Sequence, residues 1–178
     1  ITEVGQILRE TAQILPKTAI WLGGPEVSYN AREVLENYPM VQGIMKGEGE
    51  ESFTELVAYY GKLKERKQLR DIEGLMFRDE NGEIIETENR PILDLSTVPF
   101  VYEHIEDFQN RIIYYESSRG CPFSCSYCLS SIDKCLRFRK IELVKKELQF
   151  FIDHEVPQVK FVDRTFNCKH DQAMSVWK

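Results

Sequence analysis

Cys121, Cys125 and Cys128 fall within one short stretch, Ser117-Ser118-Arg119-Gly120-Cys121-Pro122-Phe123-Ser124-Cys125-Ser126-Tyr127-Cys128. Their spacing is C-x3-C-x2-C, directly after an apolar run. Thiolates are the usual ligands of iron–sulfur clusters, normally four per cluster. Three close together, with no obvious fourth, would hold a cubane and leave one iron open to another molecule. The competing chemistry is a closed structural site, zinc or a four-Cys cluster, completed by a further Cys or a His. Cys135, seven residues on, is the candidate for that role, with His104 and His154 behind it. A disulfide framework fits poorly: there are 5 cysteines, an odd number, in a chain that is not small.

The elements that must position this loop read as follows. Arg111 to Glu116 is a β-branched and aromatic run suited to a strand, and the cysteines follow its C-terminal end. A helix from about Ile141 to His154 carries Leu143, Val144, Leu148, Phe151 and Ile152 on a broad apolar face. Val159 to Asp163 is a second strand, ending in Arg164-Thr165-Phe166-Asn167, and Asp171 to Trp177 opens another helix. Strand, helix, strand is the start of a parallel β/α barrel, a fold that places its chemistry at the C-terminal ends of its strands.

Upstream the pattern is α, β, α, β, α. Thr2 to Leu15 puts Val4, Ile7, Leu8, Ile14 and Leu15 near one helical face, and Pro16 ends it. Thr18 to Leu22 is a short buried strand closed by Gly23-Gly24-Pro25. A helix over 31–37 takes Asn30 as N-cap. Val41 to Lys46 is a second strand, and a helix from Glu50 to Leu63 begins on acidic residues that its dipole favours. This is α/β grammar, a parallel sheet covered by helices. With only two strands and a first residue that is not Met, it reads as the C-terminal part of a larger sheet in an internal segment of a longer protein. Open sheet edges of this kind predict self-association.

Between the two lies a connector over 70–110. An Asn81-Gly82 turn joins Gly74–Arg78 to Glu83–Thr87 as a hairpin, and a stretch with Pro91 and Pro99 follows. The expected organisation is therefore an α/β unit over 1–69, this connector, and a barrel start over 111–178.

Composition excludes little but agrees with a globular protein: 42% hydrophobic and 29% charged residues, with no apolar run of membrane-spanning length and no signal-peptide pattern. The expected compartment is the cytoplasm. Residues 1–110 hold 11 basic against 21 acidic side chains and residues 111–178 hold 12 against 8, for a net of −6. Arg119, Lys134, Arg137, Arg139 and Lys140 lie near the cysteines in sequence, where cations would ease reduction of an anionic cluster. The positive balance is too modest to indicate nucleic acid.

The cysteine loop, with Tyr127 just before its last thiol, resembles the signature of the radical S-adenosylmethionine (SAM) superfamily. The resemblance implies that Cys121, Cys125 and Cys128 hold a [4Fe–4S] cluster whose open iron takes SAM. An electron from a donor such as flavodoxin or ferredoxin would then cleave SAM to methionine and a 5′-deoxyadenosyl radical. It implies that Phe123 and Tyr127 shield the cluster or pack near adenine. It also puts Asp163, Arg164 and Asn167 where polar groups meet the SAM amino group. This chain has Asp-Arg-Thr-Phe-Asn there, in place of the more usual Gly-Gly-Glu.

Trp21-Leu22-Gly23-Gly24-Pro25-Glu26-Val27 and Gly47-Glu48-Gly49-Glu50-Glu51 resemble the second half of the cobalamin (B12)-binding domain that precedes many radical SAM barrels. By that resemblance Gly23 and Gly24 let the backbone approach the cofactor's nucleotide tail. The sheet is then Rossmann-like and the barrel of the (β/α)6 radical SAM type. The implied activity is SAM-dependent radical chemistry in the parent protein: methyl transfer through cobalamin, methylthiolation or a rearrangement. The contrasting expectation is a non-catalytic metal-binding or interaction module. No residue is singled out as catalytic, and the substrate is not legible.

Overall fold

The computed structural model describes residues 2–61, 68–129 and 135–177. They form two compact units, residues 1–92 and 93–178.

In the first unit, α1 (Thr2–Ile14), β1 (Ile20–Gly23), α2 (Pro25–Ser28), α3 (Ala31–Asn37), β2 (Val41–Met45) and α4 (Glu50–Tyr60) follow one another; apart from the added turn of α2 this is the expected order. β1 and β2 pair in parallel, so the loops that leave both strands, Gly23–Gly24 and Lys46–Gly49, open at one edge of the sheet. The hairpin strands β3 (Leu75–Arg78) and β4 (Ile84–Glu86) do not stand apart as a connector. β3 pairs antiparallel with β2, giving one four-stranded mixed sheet in the order β1-β2-β3-β4. The physical reason is burial on both faces. Met76 points into a core with Leu8, Ala31, Leu35, Val41 and Ile44, while Leu75 and Phe77 join Leu56 and Ile72 on the other side. Such two-sided burial is what a central strand offers. Gly43 in β2 makes room for Trp21, whose ring would lie 2.4 Å from a Cβ placed there.

Two expectations change in this unit. Of the face expected to carry Val4, Ile7, Leu8, Ile14 and Leu15, Leu8 is buried and the other four are exposed, Ile7 at 60%; the helix packs through Leu8 and Gly5. Gly5 allows this by lying against the Tyr38 ring, where a Cβ would come within 2.9 Å of the hydroxyl. Asn30 precedes α3 as expected, but its side chain makes no capping bond and its Oδ1 is buried without a partner among the described residues.

In the second unit, β5 (Ile113–Tyr115) runs parallel to β8 (Val159–Phe161), with α5 (Ile141–Asp153) between them in sequence; α6 (His170–Trp177) follows. Parallel neighbours need such a crossover. Val144 and Phe151 of α5 are buried with Ile113 and Tyr115, beneath an aromatic cluster of Phe100, Tyr102, Phe108, Phe150 and Phe161. The amphipathic spacing of α5 thus does what its sequence predicts. Between β5 and α5 the chain makes an excursion closed by a short antiparallel ladder, β6 (Ser118–Arg119) with β7 (Arg137–Phe138). The cysteine loop is that excursion.

Candidate metal and cofactor centre

Three local devices hold the base of the cysteine loop. The first is Asp163, just beyond β8. Its Oδ1 accepts the Ser117 amide at 2.8 Å, and its Oδ2 accepts the Ser117 and Ser118 hydroxyls, each at 2.6 Å. Both serines are buried, and a carboxylate taking three donors satisfies polar groups that would otherwise be costly to bury. The second device is Gly120, at φ +93°, where a Cβ would stand 2.1 Å from the Cys135 carbonyl oxygen. Only glycine tolerates both the dihedral and the contact.

The third is a buried ion pair. Arg139, directly after β7, donates from Nε to Glu147 Oε2 at 2.9 Å and from Nη2 to Glu147 Oε1 at 2.5 Å. It also donates to the Leu95 carbonyl, and Tyr115 donates to Glu147 Oε2 at 2.6 Å. Burial and the bond to Glu147 push the Tyr115 phenol well above its ordinary range. Burial opposes the Arg139 charge, but the Glu147 carboxylate more than offsets it and holds the guanidinium above its usual value. At the start of α5 the Lys140 amide donates to Ser96 Oγ at 3.0 Å, while Asp94 caps its own turn through the Ser96 amide.

The cysteines themselves lie on the loop above this base. Cys121 and Cys128 are half-buried and Cys125 is exposed; the Cys128 amide donates to the Cys125 carbonyl at 3.2 Å in a turn. Among the described residues, no three His, Cys, Asp or Glu side chains converge into a group that could hold a metal. The donor set, three thiols within eight residues, has the chemistry an iron–sulfur cluster requires, and such ligands commonly close only around the metal. His154 is not drawn to the loop: its Nδ1 meets the Phe150 carbonyl at 2.8 Å, and His104 lies beside Glu106.

The other expected residues are spread around the same end of the unit. Phe123 and Tyr127 are exposed, Tyr127 at 90%. Arg164 and Asn167 are exposed after β8. Asp163 is half-buried, and both its oxygens accept hydrogen bonds from Ser117 and Ser118. Part of the basic surround is paired with carboxylates. Arg139 is neutralised by Glu147 and Arg119 by Glu116 at 2.7 Å, while Arg137 donates to the Leu93 carbonyl at 3.1 Å. Lys134 lies outside the described residues. Sequence reasoning missed the Asp163–serine clamp and Glu147. An acidic residue on the apolar face of α5 was the available signal for the second.

At the sheet edge of the first unit, Gly23 ends β1 and Gly24 adopts φ +98° with nothing within 4 Å of its Cβ position. Gly47, at φ +71°, and Gly49 are equally open. Bare backbone is thus available on both adjoining loops. Glu51, at the end of the Gly47–Glu51 motif, is committed to structure. It pairs with Arg90 at 3.0 Å, and Arg90 also bonds buried Ser52 and Glu55.

No protein-family model matches the chain. An uncharacterized methyltransferase of Pyrococcus horikoshii is 28% identical over 87% of the chain and 35% of its own length. The anaerobic magnesium-protoporphyrin IX monomethyl ester cyclase of Cereibacter sphaeroides is 31% identical over 69% of the chain and 21% of its own length. The cobalamin-dependent radical SAM methyltransferase TokK of Streptomyces tokunonensis is 26% identical over 85% and 24%. The chain therefore spans between about a fifth and a third of these relatives. The fold is shared with the radical SAM methyltransferase TsrM from Kitasatospora setae, solved with cobalamin and a [4Fe–4S] cluster. There the TM-score is 0.68 at 17% identity, over 98% of the chain and 35% of TsrM. In sequence the chain is a relative of cobalamin-dependent radical SAM methyltransferases and of the anaerobic cyclase, and in fold it is like radical SAM enzymes solved with cobalamin bound.

Proposed function

We propose that this chain is the cofactor-holding portion of a radical SAM enzyme, with Cys121, Cys125 and Cys128 as ligands of a [4Fe–4S] cluster that binds SAM. The observation that carries the reading is the placement of the cysteine loop. It leaves the C-terminal end of β5, and its base is tied by Asp163 to the same end of the parallel neighbour β8. Ligand sites of α/β sheets and barrels gather at such ends. When bound, the cluster would supply the electron for reductive cleavage of SAM. The chain's own residues hold the thiols, fix the loop's base and leave Phe123 and Tyr127 free to cover what is bound. Arg164 and Asn167, exposed at the end of β8, are the polar groups at hand for SAM; Asp163 acts through the serines.

Cobalamin is proposed at the open backbone of Gly23 and Gly24, with methyl transfer as the reaction class that the methyltransferase relatives favour. A reduced flavodoxin or ferredoxin would be the electron donor.

The test is anaerobic loading of the protein with iron and sulfide, followed by EPR of the reduced sample with and without SAM. The expected result is a [4Fe–4S]⁺ signal that changes on adding SAM and vanishes in a variant with all three cysteines changed to Ala. Stoichiometric zinc with no cluster would overturn the reading in favour of a structural metal module. A cluster indifferent to SAM in the full-length parent would overturn the SAM site and point to a fourth protein ligand.

A further inference from the structure

We propose that residues 93–97 form the outer wall of the neck through which the cysteine loop leaves and re-enters the second unit. Ser96 is the positioning residue in that wall, and it acts through the Lys140 amide at the start of α5. The wall stands on geometry alone; its consequence for a bound cluster rests on the function proposed above.

The neck is the β6–β7 ladder, and its two arms are held by different means. Asp163 takes the amide of Ser117 and the hydroxyls of Ser117 and Ser118, which fixes the arm that enters the loop. The arm that leaves the loop, Arg137 to Lys140, meets residues 93–96 at three points. Arg137 Nε donates to the Leu93 carbonyl at 3.1 Å, Arg139 Nη1 donates to the Leu95 carbonyl, and the Lys140 amide donates to Ser96 Oγ at 3.0 Å. Each of the three bonds joins positions 44 residues apart. A constant offset means that the two segments run side by side, in one direction and one register.

Residue chemistry explains the fit. Arg137 and Arg139 are two apart at the end of an extended strand, so their side chains leave on the same side. Leu93 and Leu95 share that spacing and are both buried, at 8% and 3% exposure. Carbonyls of buried residues need donors, and the two guanidinium groups supply them. They stand in for the backbone amides that a third strand would offer. Arg137 also reaches the Cys135 carbonyl at 3.4 Å, the atom that packs against Gly120 where the neck closes.

Ser96 is held ready for its bond. Asp94 accepts the Ser96 amide at Oδ1, 2.9 Å away, and its carbonyl accepts the Thr97 amide at 2.9 Å and the Thr97 hydroxyl at 2.8 Å. These bonds belong to a single 3-10 turn, Leu95–Thr97. Lys140 directly precedes α5, so its amide has no acceptor within the helix, and Ser96 Oγ provides one. Ser96 thus sets where the loop ends and α5 begins, as Asp163 sets where the loop starts.

The experiment compares the parent chain with Ser96→Ala, Ser96→Thr and Asp94→Ala. The metal-free proteins are read first, by hydrogen exchange on peptides covering 137–141 and, as the internal control, 145–153 of α5. Loss of one hydrogen bond should speed exchange over 137–141 roughly two- to tenfold in Ser96→Ala. Asp94→Ala should act in the same direction, Ser96→Thr should keep the parent rates, and 145–153 should not change. Unaltered exchange over 137–141 in both Ala variants would overturn the wall. An equal rise over 145–153 would overturn it too, since the effect would then be a general loosening. A rise that Ser96→Thr shares would overturn the assignment to the hydroxyl.

A second arm loads the same proteins anaerobically with iron and sulfide, then follows loss of the cluster to an iron chelator and the EPR line shape of the reduced cluster. Ser96→Ala should lose its cluster faster by a similar factor and show an altered line shape, with Ser96→Thr matching the parent. Equal loss and identical line shapes in parent and Ser96→Ala would overturn the positioning role. If the parent chain takes up no cluster, the proposed function fails and the exchange map alone decides the wall.

Discussion

Asp163 and Ser117 meet through two hydrogen bonds, the Ser117 amide to Oδ1 at 2.8 Å and the Ser117 hydroxyl to Oδ2 at 2.6 Å. The contact joins positions 46 residues apart and fixes where the cysteine loop starts relative to the end of β8. A carboxylate in this place serves as architecture for the loop, and its removal leaves buried donors without an acceptor.

Asp163→Ala is therefore expected to destabilise the protein by about 1.5–3 kcal/mol, the range for hydrogen bonds to a charged group. Asp163→Asn, which keeps one acceptor oxygen, should lose less. Urea unfolding checks the order. Cluster uptake should fall in the same order, and an Ala variant as stable as the parent would refute the clamp.

The Arg139–Glu147 pair is buried on both sides, at 7% and 6% exposure. Removing one member strands the other's charge, so Glu147→Ala should cost roughly 3–5 kcal/mol. Replacing both with apolar residues of similar volume should cost much less. A double variant as damaged as the single one, measured by the same unfolding, would show that the pair is not the relevant unit.

Tyr115 gives a pH dependence of defined sign. Its folded phenol value is raised above the usual 10.0, so the folded state holds the proton more tightly than the unfolded one. Its contribution is complete below pH 10.0 and is lost as pH rises from there towards the folded value, by up to about 1.4 kcal/mol per pH unit. Melting curves between neutral pH and strong alkali should fall more steeply for the parent than for Tyr115→Phe. Parallel curves would contradict the buried bond to Glu147.

Gly120 and Gly82 provide a matched pair. Both have positive φ, +93° and +83°, but Gly82 has open space where a Cβ would go and Gly120 has the Cys135 carbonyl. Gly82→Ala should cost about 1–2 kcal/mol, the conformational term alone. Gly120→Ala adds a clash that must open the neck, so it should cost more and impair cluster uptake. Similar stability losses for the two would mean the neck is not closed at Gly120.

Much of the chain's organisation was written locally and could be read locally. The C-x3-C-x2-C spacing, the strand before it, the amphipathic α5 and the glycine-ended strands β1 and β2 all depend on residues near one another in sequence. Periodicity and turn chemistry report such features directly. The residue types also determined the donor chemistry: three thiols on one short loop remain so in any tertiary setting.

Tertiary structure decided which of these features meet. The hairpin with Asn81-Gly82 reads as a hairpin anywhere, but only strand pairing made it the continuation of the β1–β2 sheet. Val4, Ile7 and Ile14 look like parts of one core stripe with Leu8 until packing through Leu8 and Gly5 leaves the three exposed. Asp163 had the sequence context of a ligand; the fold brought Ser117 and Ser118 to it across 46 and 45 residues and took its oxygens. Arg139 and Glu147 similarly became a neutralised pair instead of part of a positive surround. The reason is common to all four: side-chain type and period are local properties. Which acceptor a donor finds, and which face water keeps, depend on the arrangement of distant segments in space.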